Sequence, residues 1–349
     1  MTKKSSSFIF HLSSFKRLFD SNALWLSMVI GAVAYPWLLP LKPILPWLIF
    51  FMLFFTFCKV NPLDLRLHRW HWVVLAVQML FSFGTYFAIM ALTHDPILSQ
   101  GLMLCFIMPT ATAAPIIAGK LGGSIQNLTT FTLLSNFATA LVVPAFFPLI
   151  NGSAEFSIFN FQFSIFLPAF LLILSRVAPL LLGPFFAAWL LRLGYKAKTK
   201  KEFVLPTKLA VIPFYLWVAS IIVLSSVVTD TVVSNFQSQI SNMIILIIAS
   251  FFACCLQFGL GKLIGYYMPA PSKGRDYQDV LVNPAAAPKT MNGVSSITAG
   301  QAFGQKNTSL GVWMAQTYLD PLSALGAAAY IIWKNLFNSV QLTIAAHKK

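Results

Sequence analysis

Acidic side chains are scarce: nine Asp and Glu stand against 24 Lys and Arg in 349 residues, and charged residues of both signs make up only 9% of the chain. With 58% of the residues hydrophobic, that is too little polar surface to cover a soluble fold. The acids lie outside the apolar runs or at their ends, so no cluster of carboxylates stands ready for chemistry at a membrane face. Cysteine is sparse too. Cys58, Cys105, Cys254 and Cys255 all fall in apolar segments, where they serve as small hydrophobes, and their spacing gives neither a disulfide framework nor a metal site. The chain carries no phosphate-cradling glycine loop, which argues against direct ATP coupling within it.

Long apolar runs are what the sequence has in quantity. Blocks of roughly 17–25 residues match the helix length that crosses about 30 Å of hydrocarbon, and at this density only helices satisfy their own backbone groups. Ten spans are predicted, at 23–40, 43–59, 71–93, 97–119, 126–150, 168–192, 209–228, 242–268, 297–318 and 321–342. The expected fold class is therefore an all-α membrane protein of ten transmembrane helices. The net charge of +15 follows the spans and does not suggest nucleic acid. With the N-terminus cytoplasmic, all lysines and arginines but three fall on the inside or in the last turns of a span at its inner end, Lys262 and Lys334 among the latter. Lys42 falls outside, and Arg176 and Lys306 lie deeper within spans. This bias is the positive-inside signal, and it predicts a bacterial-type inner membrane protein with both termini cytoplasmic. Before Asn22, residues Phe8, Phe10, Phe15 and Leu18 among basic residues read as an interfacial amphipathic stretch, without the features of a cleaved signal peptide.

A basic connection at 193–208 splits the chain into an interfacial segment 1–22, a first half 23–192, a second half 209–342 and a tail 343–349. Residues 269–296, rich in Pro, Ala, Lys and Gly, read as a solvated cytoplasmic loop. Five spans per half force the second half to insert upside down, which predicts inverted repeats with a binding site at the midplane between them. The fourth span of each half is irregular. In the first, Met108-Pro109-Thr110-Ala111-Thr112-Ala113-Ala114-Pro115 places two helix-breaking prolines inside an apolar run. In the second, Gly300-Gln301-Ala302-Phe303-Gly304-Gln305-Lys306-Asn307-Thr308 is too polar to face lipid. Interrupted segments at matched positions point to a binding site, since unwound backbone is tolerated in a bilayer only where it lines a cavity or protein. The third spans match as well, through Gln78 and Gln257. Each amide either bonds a neighbouring helix backbone or faces the cavity, and its presence in both halves favours the cavity.

These broken segments resemble the bile acid:sodium symporter family, whose ten-helix fold crosses two discontinuous helices at its centre. The stretch from Pro109 to Pro144, with its Gly122-Gly123 turn, is similar to the family's fourth and fifth helices. Gly304-Gln305-Lys306-Asn307-Thr308 resembles the ninth-helix pattern E-x-G-x-Q-N-S, and Tyr318-Leu319-Asp320-Pro321 through Leu325, with Trp333-Lys334-Asn335, resembles the start of the tenth. In the sodium-coupled members these stretches bind two sodium ions. Here the glutamate position falls on Ala302, the fourth-helix Ser-Asn pair on Ala114-Pro115, the fifth-helix serine on Leu128 and the ninth-helix glutamine on Lys306. Thr132 and Asn307 match, and Gln78 takes the third-helix glutamine position. The resemblance thus implies the fold and the transport of an organic anion without two intact sodium sites. A second branch of the superfamily also carries lysine here, as G-S-K-K-S.

Lys306 is the foremost candidate, because a cation inside a span usually marks a pathway or a partner. Its ammonium either replaces a bound sodium and holds the crossed half-helices together, or carries a coupling proton. Thr110, Thr112, Asn307 and Thr308 are the expected substrate contacts; Lys306, Gln305, Gln301, Thr132, Gln78 and Gln257 form the expected ion or coupling site. Arg176 either contacts an anion or snorkels. Asp320 is expected to cap a helix start, and His71 with Trp70 and Trp72 to form an interfacial belt. The function expected is secondary active transport of an organic anion, bile-acid-like or a small carboxylate or sulfonate, by alternating access, with a solute channel or a membrane-embedded transferase as alternatives. No cofactor, metal or nucleic-acid partner is expected; the partners are the anion, the lipid bilayer, and a proton or, as the lesser option, sodium.

Overall fold

A computed structural model of the chain describes residues 23–62, 65–151, 163–269 and 290–347. The N-terminal segment 1–22, most of the 269–296 loop, and Lys348 and Lys349 lie outside the described residues. Among the described residues the secondary structure is helical, with one isolated backbone bridge. In chain order the helices are α1 (Ala23–Val33), α2 (Tyr35–Leu38), α3 (Leu45–Phe57), α4 (Arg69–Thr93), α5 (Pro96–Ile107), α6 (Ala114–Lys120), α7 (Ile125–Asn151), α8 (Phe163–Thr199), α9 (Ile212–Tyr267), α10 (Met291–Gly304), α11 (Thr308–Tyr318) and α12 (Ala324–His347). A 3-10 segment, Leu39–Ile44, continues α2 into α3. Among the described residues five stretches, Tyr35–Phe57, Arg69–Thr93, Ile125–Ile150, Phe163–Thr199 and Ile212–Tyr267, are long and apolar enough to cross a membrane. Their outward faces expose Trp37, Leu80, Leu92, Ile165, Leu190 and Phe252, and the protein is membrane-embedded.

Two helices run further than the sequence suggests. Helix α8 continues through Lys196 and Lys198 to Thr199, so nearly the first half of the expected connection at 193–208 is helical. Lys and Ala are good helix formers, and the stop comes only at Lys200, whose φ of 59° ends the helix in the left-handed region. Nearby, Lys196 pairs with Glu202 at 2.6 Å on the exposed surface. In place of the expected gap at 229–241, helix runs up to Gln239, where φ −128° and ψ 20° join two helices at a kink within α9. Asn242 bonds both Gln239 Oε1 at 2.9 Å and Asp95 Oδ2 at 2.7 Å, tying the kink to the start of α5. Asp95 also caps α5 by accepting from the Leu98 N–H at 3.0 Å.

Two apolar cores flank the broken helices. One gathers Leu45, Leu53, Met103, Phe147, Val177, Leu181, Leu224 and Leu310, from α3, α5, α7, α8, the first part of α9 and α11. The other surrounds α10 with Trp70, Phe106, Phe131, Phe258, Phe303 and Tyr330. Trp70 and His71 are wholly inside, with Trp70 stacked on Phe131, and of the expected interfacial belt only Trp72 is exposed. Helix α10 packs closely on α9 because Gly261 and Gly265 set their bare Cα atoms against the Ala299 and Ser295 backbone. At the far end of α11, Gln316 is tied on three sides. Its Oε1 accepts from Lys42 Nζ at 3.2 Å, and its Nε2 donates to Thr231 Oγ1 and to the Pro321 carbonyl, each at 3.0 Å. Beside this knot lies a hollow of about 460 Å³ lined by Leu39, Pro40, Lys42, Pro43, Pro46, Trp313 and Thr317. Arg176 sits against the Tyr318 hydroxyl at the same end, and Asp320 caps the following turn through the Leu322 N–H at 2.8 Å.

Candidate functional site

The two interrupted segments meet. Helix α5 stops at Ile107 because Met108 precedes a proline and is driven to ψ 135°; the chain stays extended through Thr110 and resumes as α6 with Pro115 in its first turn. The second break has no proline. Helix α10 ends at Gly304, and α11 begins after Asn307, whose side-chain oxygen accepts from the Leu310 N–H at 3.3 Å as an N-cap. Thr110 and Lys306 pair as an antiparallel bridge, in which the Ala111 N–H donates to the Gln305 carbonyl and the Asn307 N–H to the Pro109 carbonyl, both at 2.7 Å.

Unwinding two helices frees backbone groups that hydrocarbon cannot satisfy, and neighbouring side chains take them up. The Thr110 N–H donates to Ser135 Oγ at 3.0 Å, and Thr110 Oγ1 donates to the Ala302 carbonyl at 2.6 Å. Gln78 Nε2 donates to the Met108 carbonyl at 3.2 Å and Gln257 Nε2 to the Cys105 carbonyl at 3.1 Å. The Tyr330 hydroxyl donates to the Gly304 carbonyl at 2.9 Å. Lys334 Nζ donates to the Lys306 carbonyl at 2.7 Å and to Thr308 Oγ1 at 3.1 Å.

Against this crossing lies a cavity of about 450 Å³. Thr112, Thr132, Gln305, Asn307, Thr308, Ser309, Lys334 and Asn335 supply its polar wall; Met52, Phe57, Ile116, Ile117, Phe214 and Trp217 are among its apolar residues. Lys59 stands at its edge and donates to the Ala210 carbonyl at 3.0 Å. No acid lines it. Of the expected substrate contacts, Thr112, Asn307 and Thr308 line the cavity, whereas Thr110 is consumed in the crossing. Of the expected coupling site, Gln305 and Thr132 line it. Gln78 and Gln257 do not: both hold carbonyls at the end of α5, so the matched amides brace backbone. Gln301 faces α12, donating to Gln341 Oε1 at 3.1 Å.

Lys306 stands apart from the cavity-lining residues. Its backbone forms the crossing, but its ammonium is wholly buried outside the cavity, 5.0 Å from the centre of the Phe303 ring, without a hydrogen-bond partner among the described residues. The cation that braces the second break, through the Lys306 carbonyl and Thr308 Oγ1, is Lys334, expected in the last turns of its span and found buried within α12. A signal for it existed: Lys334 stands eight residues before the predicted span end at 342, about 12 Å along a helix and far from the interface. Tyr330 lies one turn earlier on the same face and reaches the same break.

No protein-family model matches the chain, and no curated protein matches it.

Proposed function

We propose that the chain is a secondary active transporter of an organic anion, working by alternating access in a bacterial inner membrane with both termini cytoplasmic. In this proposal it is a relative of the bile acid:sodium symporters: ten spans in two inverted halves, with α5–α6 and α10–α11 as the broken fourth and ninth. The observation that carries it is the paired crossing of two unwound segments beside a cavity whose charged groups, among the described residues, are the cations Lys59 and Lys334. Pairing of this kind places backbone and helix ends at a solute site, as in transporters built from repeats. Lys59 and Lys334 favour an anion there, and the apolar wall of Phe57, Phe214 and Trp217 favours an organic one.

Coupling by the usual two sodium sites is not expected. Ala302 and Leu128 offer no side-chain oxygen, and Lys334 Nζ already occupies the Lys306 carbonyl and Thr308 Oγ1 at the second break. The test is counterflow in proteoliposomes loaded with candidate carboxylates and sulfonates. Uptake should saturate and be indifferent to exchange of sodium for potassium or choline at constant ionic strength. Flux that rises linearly with concentration would indicate a channel, and a steep saturable sodium dependence would show that the ion site has been misassigned.

A further inference from the structure

The donors around Lys334 form a set that the broken helices alone do not explain. An ammonium carries three N–H groups, and Lys334 places two of them, on the Lys306 carbonyl at 2.7 Å and on Thr308 Oγ1 at 3.1 Å. Lys334 also lines the cavity. Asn307 lines it too, and its amide orientation is fixed because its oxygen caps α11. Asn307 Nδ2 is consequently a buried donor without a hydrogen-bond partner among the described residues, and Gln305 Nε2, on the same wall, is another. The three side chains are 8%, 4% and 2% exposed for Lys334, Asn307 and Gln305. A buried donor left unpaired is costly, and two such amides beside the third N–H of Lys334, with no acid among the described residues lining the cavity, call for a single acceptor-rich partner.

We propose that Lys334, Asn307 and Gln305 grip the acid group of the transported solute as an oxyanion, and that Lys334, and not Lys306, is the specificity-determining cation. This rests on the transport proposal and adds the residue that reads the charge. A carboxylate, sulfonate or phosphate offers at least two oxygens, enough to accept from the free N–H of Lys334 and from both amides together. The N-terminus of α11, eleven residues long, faces the same cavity through Thr308 and Ser309 and favours negative charge. Because the same ammonium holds the Lys306 carbonyl, an occupied site is joined directly to the crossing by one side chain.

The test is thermal unfolding of the full-length purified protein, titrated with benzoate, benzenesulfonate or inorganic phosphate at constant ionic strength, with benzamide as the neutral control. The wild type should be stabilised saturably by at least one oxyanion and not by benzamide; the three oxyanions distinguish the acid groups. Lys334→Gln should raise the half-saturating concentration at least tenfold, whereas Lys306→Met should leave it within about threefold. A merely structural lysine would lower the midpoint without moving half-saturation. Should Lys334→Gln not fold, Asn307→Asp serves instead: it keeps an oxygen for the Leu310 cap, removes the donor, sets a negative charge on the wall and should abolish the shift. Equal half-saturation in Lys334→Gln or Asn307→Asp and the wild type overturns this assignment alone. A wild type that no oxyanion stabilises overturns it together with the transport proposal.

Discussion

At the scale of the residue, the crossing depends on what is small as much as on what is polar. Gly304 ends α10 with the Phe258 ring pressed against the place where a Cβ would stand, and Phe258 is itself fully buried and stacked on Phe337, with ring centroids 4.6 Å apart. A methyl group here has nowhere to go without shifting the ring or the break. Gly304→Ala should therefore lower stability by about 1–3 kcal/mol, the usual cost of overpacking, seen as a lower thermal midpoint with unchanged expression. An unchanged midpoint would mean that the Phe258 ring yields freely. Gly122 is small for a different reason: its φ of 87° turns the chain between α6 and α7, a conformation that a side chain strains.

At the scale of the element, helix ends decide the geometry. Asp95 joins two of them, capping α5 through one oxygen and holding Asn242 at the α9 kink through the other. Asp95→Ala should cost about 0.5–2 kcal/mol for the cap and more for the lost tie, and Asn242→Ala should cost less. Since the two share the Asn242–Asp95 contact, the double variant should cost less than the sum of the single variants; full additivity in a double-mutant cycle would separate the cap from the kink. The sequence makes some of these ends legible and hides others. Pro109 and Pro115 announce the first break because each removes a backbone donor and biases the residue before it away from helix, whereas α7 and α8 run through Pro144, Pro148, Pro168, Pro179 and Pro184; the polar run from Gly300 to Thr308 announces the second because it does not suit lipid. The ends of α8 and the kink of α9 are hidden: nothing between Gly194 and Lys200, or between Thr229 and Gln239, forbids helix, and their ends are set by tertiary context. Of the candidate site, Thr112, Thr132, Gln305, Asn307 and Thr308 were legible as polar groups in apolar runs. Lys334 was obscured because a lysine late in a span passes for an interfacial anchor, and the aromatic wall because Phe57, Phe214 and Trp217 look like any lipid-facing residue.

At the scale of the whole molecule, one helix reaches from the cavity to the opposite end. The N-terminus of α11 carries Asn307, Thr308 and Ser309 at the cavity, while Trp313 and Thr317 line the hollow beside Lys42 and Gln316 sits in its three-way knot. Eleven residues make a rod of about 16 Å, so the cap at one end and the knot at the other are set at a fixed distance and a fixed phase. Adding a single alanine between Val312 and Trp313 would lengthen the rod by about 1.5 Å and turn its far end by about 100°. Asn307 would keep its cap, while Gln316 would point away from Lys42, Thr231 and the Pro321 carbonyl. Oxyanion binding, measured by thermal shift, should survive this insertion while counterflow falls at least tenfold; retained counterflow would show that the two ends work without a common phase. If the rod is rigid, a rotation imposed at Asn307 is delivered undiminished at Gln316, and the cavity and the hollow beside Lys42 then keep time through the pitch of one helix.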